Sequence, residues 1–82
     1  MNVNFWVDEG SLESFIEFNI RTFNEPIDFK NALALITIVA ADYDLDPEMD
    51  EETLVDIIKK TQEHEKETFV FSFHEEGIEV DI

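Results

Sequence analysis

The sequence lacks cysteine altogether, and among its 82 residues only five are Lys or Arg, two are Gly and two are Pro. Without cysteine there is no disulfide staple, no thiolate nucleophile and no Cys-based zinc site, and the composition fits a reducing compartment. So few bases argue against direct binding to nucleic-acid phosphates or to an anionic membrane. There is no Gly-rich phosphate loop, no internal repeat and no low-complexity linker. The longest apolar run, residues 32–41 with Thr37 inside it, is about half of the ~20 residues that a membrane span requires. Met1 to Glu9 shows no basic stretch followed by a long apolar one, so no secretory signal is expected there. The cytoplasm is the expected location (a host's cytoplasm if the chain is phage-encoded).

Acid is what the chain has in excess. Twenty-one Asp and Glu give a formal net charge of −16. The hydrophobic fraction is nevertheless 44%, with eight Phe, one Trp and one Tyr, which is too apolar for a disordered acidic tail. Residues 1–82 are therefore expected to form one acidic domain around a Phe-rich core. A domain of this size buries only about 60% of its unfolded surface, so each large side chain counts.

Periodicity gives a first outline. Val3, Phe5 and Val7 alternate with Asn2, Asn4 and Trp6, as in a short strand. Asp8-Glu9-Gly10 turns the chain, and Ser11 is a plausible N-cap for a helix in which Leu12, Phe15, Ile16, Ile20 and Phe23 share a face. Phe18 falls off that face. Asn24-Glu25-Pro26 ends the segment, and a second helix, capped by Asp28, is expected to run to about Asp42. Asp46-Pro47 and Asp50-Glu51-Glu52 both read as helix starts, and a third helix carries Leu54, Ile57, Ile58 and Thr61 on one face. Phe69, Phe71 and Phe73, then Ile78, Val80 and Ile82, read as a hairpin. A loop of His74-Glu75-Glu76-Gly77 pairs Phe73 with Ile78 and Phe71 with Val80 on one face. The fold class expected is α+β, a small antiparallel three-stranded sheet in the order β-α-α-α-β-β with helices packed on one face.

Asp42-Tyr43-Asp44-Leu45-Asp46 resembles the first half of an EF-hand calcium loop. Pro47 stands where that loop needs Gly, and Thr53 where it needs a bidentate Glu. A weak Ca²⁺-binding module is accordingly one alternative. Catalysis finds little support, and no catalytic residue, metal site or cofactor is expected. Ser72, His74 and Asp81 share a sheet face, but nothing near them suggests an oxyanion hole. His64 and His74 make a poor zinc pattern.

The remaining reading is association. Asp42, Asp44, Asp46, Glu48, Asp50, Glu51 and Glu52 form an acidic run with no base between Lys30 and Lys59. Carboxylates at i and i+2 of an extended segment lie on one side about 6.6 Å apart, comparable with phosphates along a strand. Such a row suits the basic site of a nucleic-acid-binding protein and gives the physical basis of nucleic-acid mimicry. Glu75, Glu76 and Trp6 are further candidate contacts, Trp being a favoured interface anchor. The expected function is a small acidic antagonist that occludes a basic partner site. Phage anti-defence, anti-CRISPR and immunity proteins share this size and charge as a class. The other alternative is a homo-oligomeric assembly module that buries its second helix and Phe18 between copies.

Overall fold

In the computed structural model, which describes residues 1–82, alternation governs four segments. The elements are β1 (Val3–Asp8), β2 (Glu13–Asn19), α1 (Ile27–Ala41), α2 (Glu51–Glu63), β3 (Thr68–His74) and β4 (Gly77–Asp81), with a 3-10 turn at Ile20–Thr22 after β2. The strands form an antiparallel meander in the order β1-β2-β3-β4. The expected three-stranded sheet and β-α-α-α-β-β order are thus corrected to four strands and β-β-α-α-β-β.

The correction rests on one segment that satisfies two periods. Leu12, Phe15, Ile16, Ile20 and Phe23 fit a helical stripe, whereas Ser14, Ile16 and Phe18 fit a period of two and are the residues buried. A helix leaves Phe18 in water. The strand buries it fully, stacked on Phe69 at 5.3 Å and edge-on to Phe71 at 5.8 Å between ring centroids. Aromatic and β-branched composition favours the same outcome. The turn before it decides the direction: the Asp8 carboxylate accepts from the Gly10 and Ser11 N–H groups, at 3.0 and 3.3 Å. This Asx turn folds the chain back on β1, so Ser11 caps no helix.

β2 then lies in the centre of the sheet. It pairs Phe18 with Phe69, Ile16 with Phe71 and Ser14 with Phe73. β4 pairs Ile78 with Phe73 and Val80 with Phe71, the register expected from sequence. That ladder continues to His74 and Gly77, which leaves only Glu75 and Glu76 in the turn. Gly77 has φ +150°, a conformation L side chains rarely adopt.

Both helices cover the Phe side. α1 buries Phe29, Ala32, Ile36, Val39 and Ala40, and α2 buries Leu54, Ile57, Ile58 and Thr61. Asp28 lies inside the first turn of α1 instead of capping it. Its carboxylate accepts from the Asn24 N–H at 2.6 Å and stands 3.7 Å from the Met1 ammonium. Asp50 is the N-cap of α2, accepting from the Thr53 N–H. Every buried side-chain polar atom has a partner. No helix is long and apolar enough to cross a membrane.

Two helices do not cover four strands. β2 and β3 are covered, but in β1 Phe5 and Val7 stay 53% and 50% exposed on the helix side. The opposite sheet face is open, and there Trp6 stacks on Phe15 at 5.1 Å.

Phe71 touches three other rings of the buried stack. Phe71→Ala is expected to cost about 3–5 kcal/mol, a large share of the roughly 4–12 kcal/mol available to a domain this size. Urea denaturation checks it: the midpoint falls while the slope changes little.

Candidate protein-binding surface

The meander sets where charge can go. Its β1–β2 and β3–β4 turns lie at one end of the sheet, here the hairpin end, and the exit of β2 and entry of β3 lie at the other. α1 finishes at the hairpin end, because the Tyr43 hydroxyl lies 2.6 Å from the Ser14 hydroxyl near the start of β2. α2 therefore starts near that end and runs away from it toward the entry of β3.

All five bases sit away from the hairpin end. Arg21 follows β2, Lys30 is in the first turn of α1, Lys59 and Lys60 lie late in α2, and Lys66 precedes β3. Arg21 pairs with Glu67 there. Apart from His74, the ionisable side chains of the hairpin-end turns are acids. The acidic loop meets the two turns around a shared hollow lined by Leu12, Asp42, Tyr43, Asp44 and Glu75. A neighbouring hollow includes Glu13, His74, Glu76 and Glu79.

Between α1 and α2 the loop has an alternating structure. Tyr43, Leu45, Pro47 and Met49 are half-buried, and Asp42, Asp44, Asp46, Glu48 and Asp50 between them are exposed. Tyr43, Leu45 and Met49 pack against the core. Short bonds hold the loop: Leu45 N–H donates to the Ala40 carbonyl at 3.0 Å, and the Asp46 carboxylate accepts from Glu48 N–H at 3.1 Å. Asp44 and Glu48 take the left-handed conformation, with φ 55° and 44°. Asp tolerates this better than Glu does. Glu51 and Glu52 continue the ridge, exposed, into the first turn of α2, where acids complement the helix dipole.

None of the carboxylates from Asp42 to Asp56 is paired with a base of the chain. Asp50 is the one group whose acidity is clearly altered. The backbone N–H of Thr53, then its hydroxyl, bond the carboxylate at 2.9 and 2.8 Å and hold its pKa below the ordinary value. The remaining acids of the ridge keep their side chains free for solvent or a partner, apart from the local bond of Asp46.

The structure thus brings Asp42, Asp44 and Glu75 together around one hollow, with Glu76 in the adjoining turn. Asp46, Glu48, Asp50, Glu51 and Glu52 extend the same ridge toward and into α2. Trp6 does not join them; it lies midway along the edge strand β1 on the open face, 44% exposed. Sequence reading missed Asp8, Glu9 and Glu13, because they join this end only once β2 is a strand, and it passed over Glu79, which the expected β3–β4 hairpin already places there. It also placed Leu12 in a buried stripe, whereas Leu12 is 65% exposed among the acids.

The other chemistries find no assembly. No group of three or more His, Cys, Asp or Glu side chains is placed to hold a metal ion. Asp81 pairs with Val70, away from His74, so Ser72, His74 and Asp81 form no relay. His74 instead accepts from the Glu76 N–H at 3.3 Å and has Nε2 3.7 Å from Glu79. Phe18, suggested for an interface between copies, is fully buried in its own core. Compared with protein-family models, curated proteins and solved structures, the chain matches none of them.

Asp50→Ala removes the cap of α2 and is expected to lower the melting temperature by several degrees. Its lowered pKa fixes the sign of the pH dependence. Stability from this group is fully present above the ordinary carboxylate range and lost as pH falls through the depressed value. Asp50→Asn keeps the cap and loses that acid dependence, which melting curves between neutral and acid pH read directly. Glu48→Gly relieves the left-handed strain and is expected to be neutral or stabilising, by up to about 1 kcal/mol. Thermal melts of that variant provide the check.

Proposed function

We propose that this chain is a binding protein that sets its hairpin-end carboxylates into a basic site on a partner protein and occludes it. The ridge Asp42–Glu52 is the principal contact, and Glu75 and Glu76 flank it. The observation that carries the reading is the alternation in the loop: apolar residues pinned to the core, unpaired acids all turned outward. A ridge held this way loses little freedom on binding, which favours affinity. Its exposed acids, unpaired within the chain, suit the forks of Arg side chains on a basic partner. The turn at 42–44 and the left-handed Asp44 and Glu48 replace the evenly extended row expected from sequence. Leu12, an exposed apolar group among these acids, supplies contact that charge alone does not. A site built to hold nucleic acid is the kind of basic surface this chemistry fits, and occlusion of such a site is the action of anti-defence and immunity proteins as a class.

The test separates placed charge from total charge. The chain is immobilised and basic nucleic-acid-binding proteins are captured at low salt, with duplex DNA as competitor. Asp44→Lys/Asp46→Lys/Glu48→Lys is expected to weaken capture by about a hundredfold or more, chiefly through the on-rate. Glu25→Lys/Glu63→Lys/Glu65→Lys makes the same change in net charge away from the ridge and is expected to retain most binding. Equal losses in both variants would reduce the effect to net charge and sink the proposal. DNA that fails to compete would remove the mimicry of nucleic acid.

A further inference from the structure

β1 is the least protected element of the fold. Residues Asn4 to Asp8 are all exposed although the strand pairs with β2 along its length. Edge strands of monomers are ordinarily shielded by Lys, Pro, a bulge or a covering helix. β1 contains no Lys or Pro, its register runs unbroken from Val3 to Asp8, and the helices leave it bare.

One hydrogen bond fixes which backbone groups face outward. The Asn19 N–H donates to the Asn2 carbonyl at 3.3 Å, and these residues stand opposite each other in the register that pairs Val3 with Phe18. Hydrogen-bonded and non-hydrogen-bonded pairs alternate along an antiparallel ladder. Asn4, Trp6 and Asp8 therefore turn their N–H and C=O groups toward β2, and Val3, Phe5 and Val7 turn theirs away from the sheet. The free backbone groups belong to the residues whose apolar side chains the helices fail to cover.

We infer that β1 is where two copies of this chain pair, antiparallel about a two-fold axis through Phe5. Phe5 meets Phe5 of the second copy, and Val3 meets Val7, so the sheets join into one. The axis stands perpendicular to the sheet and keeps both helix layers on the same side. Above the seam lies the flank of α1 nearer β1. Asp28 marks that flank, because its carboxylate faces the Met1 ammonium just ahead of β1. Leu35 lies two turns further along the same stripe and packs against the core. Phe5 and Val7 have no cover within one chain; pairing supplies it.

The register selects this occupant, since Val3, Phe5 and Val7 are self-complementary about Phe5, and charge, which opposes any pairing of two such copies, selects the orientation. At −16 each, two copies repel most strongly when their hairpin ends meet. β1 runs from the end that holds the bases to the hairpin end, so an antiparallel pair sets each Asp8–Glu9 turn toward the other copy's β1 entry, near which the Met1–Asp28 and Asn2–Thr22 contacts place Lys30 and Arg21. Across the seam Asp8 meets Asn2 and Trp6 meets Asn4, and no carboxylate opposes another directly. A basic extended peptide is less suited to this edge, since Asp8 is the only acid within β1.

Sedimentation of the full chain at roughly 100 µM, across salt that shortens the Debye length from about 30 Å to about 3 Å, tests the pairing. The expected result is twice the monomer mass near physiological salt, tightening as salt rises. Phe5→Lys is expected to weaken association about tenfold or more. Val7→Pro removes an outward N–H and no bond to β2, and is expected to do the same with the melting curve of a folded chain. Because the chain has no cysteine, Phe5→Cys gives a single thiol on the axis. Hydrogen-bonded partners lie about 5.5 Å apart between Cα atoms, inside the roughly 4.4–6.8 Å that a disulfide spans. Oxidation should cross-link Phe5→Cys and leave the exposed control Ile27→Cys monomeric. A wild type that stays monomeric throughout the salt series overturns the inference. So does a dimer that survives both Phe5→Lys and Val7→Pro, or a monomer whose β1 instead takes up a Lys-rich extended peptide.

Discussion

The fold depends on removing one sheet face from water with two helices. Phe18, Phe69, Phe71 and Phe73 form a continuous ring stack across the two central strands, and no disulfide supplements it. Burial of that stack is the dominant favourable contribution in a chain whose charge opposes compaction. Helices of 15 and 13 residues are long enough to lie along those strands but not to spread over the edges. What is exposed follows from what that layer cannot reach: β1 on one side, the open face below, and the loop that joins the helices at the hairpin end.

The same geometry segregates charge. Because the helices replace the β2–β3 turn, the two tight turns of this meander share one end, and they and the helix connection are acidic. The bases fall near the β2 exit, the β3 entry and the far ends of the helices. Lys59 and Lys60 lie late in α2 and Glu51 and Glu52 begin it, so the helix dipole is complemented in the same sense as the whole molecule is polarised. Self-repulsion is thereby concentrated where no core residue must be packed against another charged element. The acids there stand clear of the chain's own bases.

Much of this was legible in the sequence. Strict alternation in β1, β3 and β4 gave their type, and the cost of exposing Phe on the wrong face gave the β3–β4 register. Ala-rich composition marked α1, and Asp50 before two Glu marked the start of α2. Residues 12–23 were misread because their apolar spacing fits both a helical stripe and a strand, and only the tertiary partners of Phe18 decide between them. That one segment hid the fourth strand. It also hid the arrival of Asp8, Glu9 and Glu13 at the acidic end and the exposure of Leu12. The ridge itself was visible as composition and spacing. Alternation in β1 set Trp6 opposite Val3, Phe5 and Val7, but the openness of that face and its distance from the ridge needed the sheet.

The loop between α1 and α2 has a further property that follows from its parity. Surface loops commonly absorb insertions and deletions, since little depends on their length. In this one, anchors and acids occupy alternate positions between Asp42 and Asp50, so gaining or losing one residue exchanges their roles beyond that point. Carboxylates would be driven toward the core and apolar groups out into water. A change in length here disturbs anchors and acids together, a constraint ordinarily associated with strands and carried in this molecule by a connection.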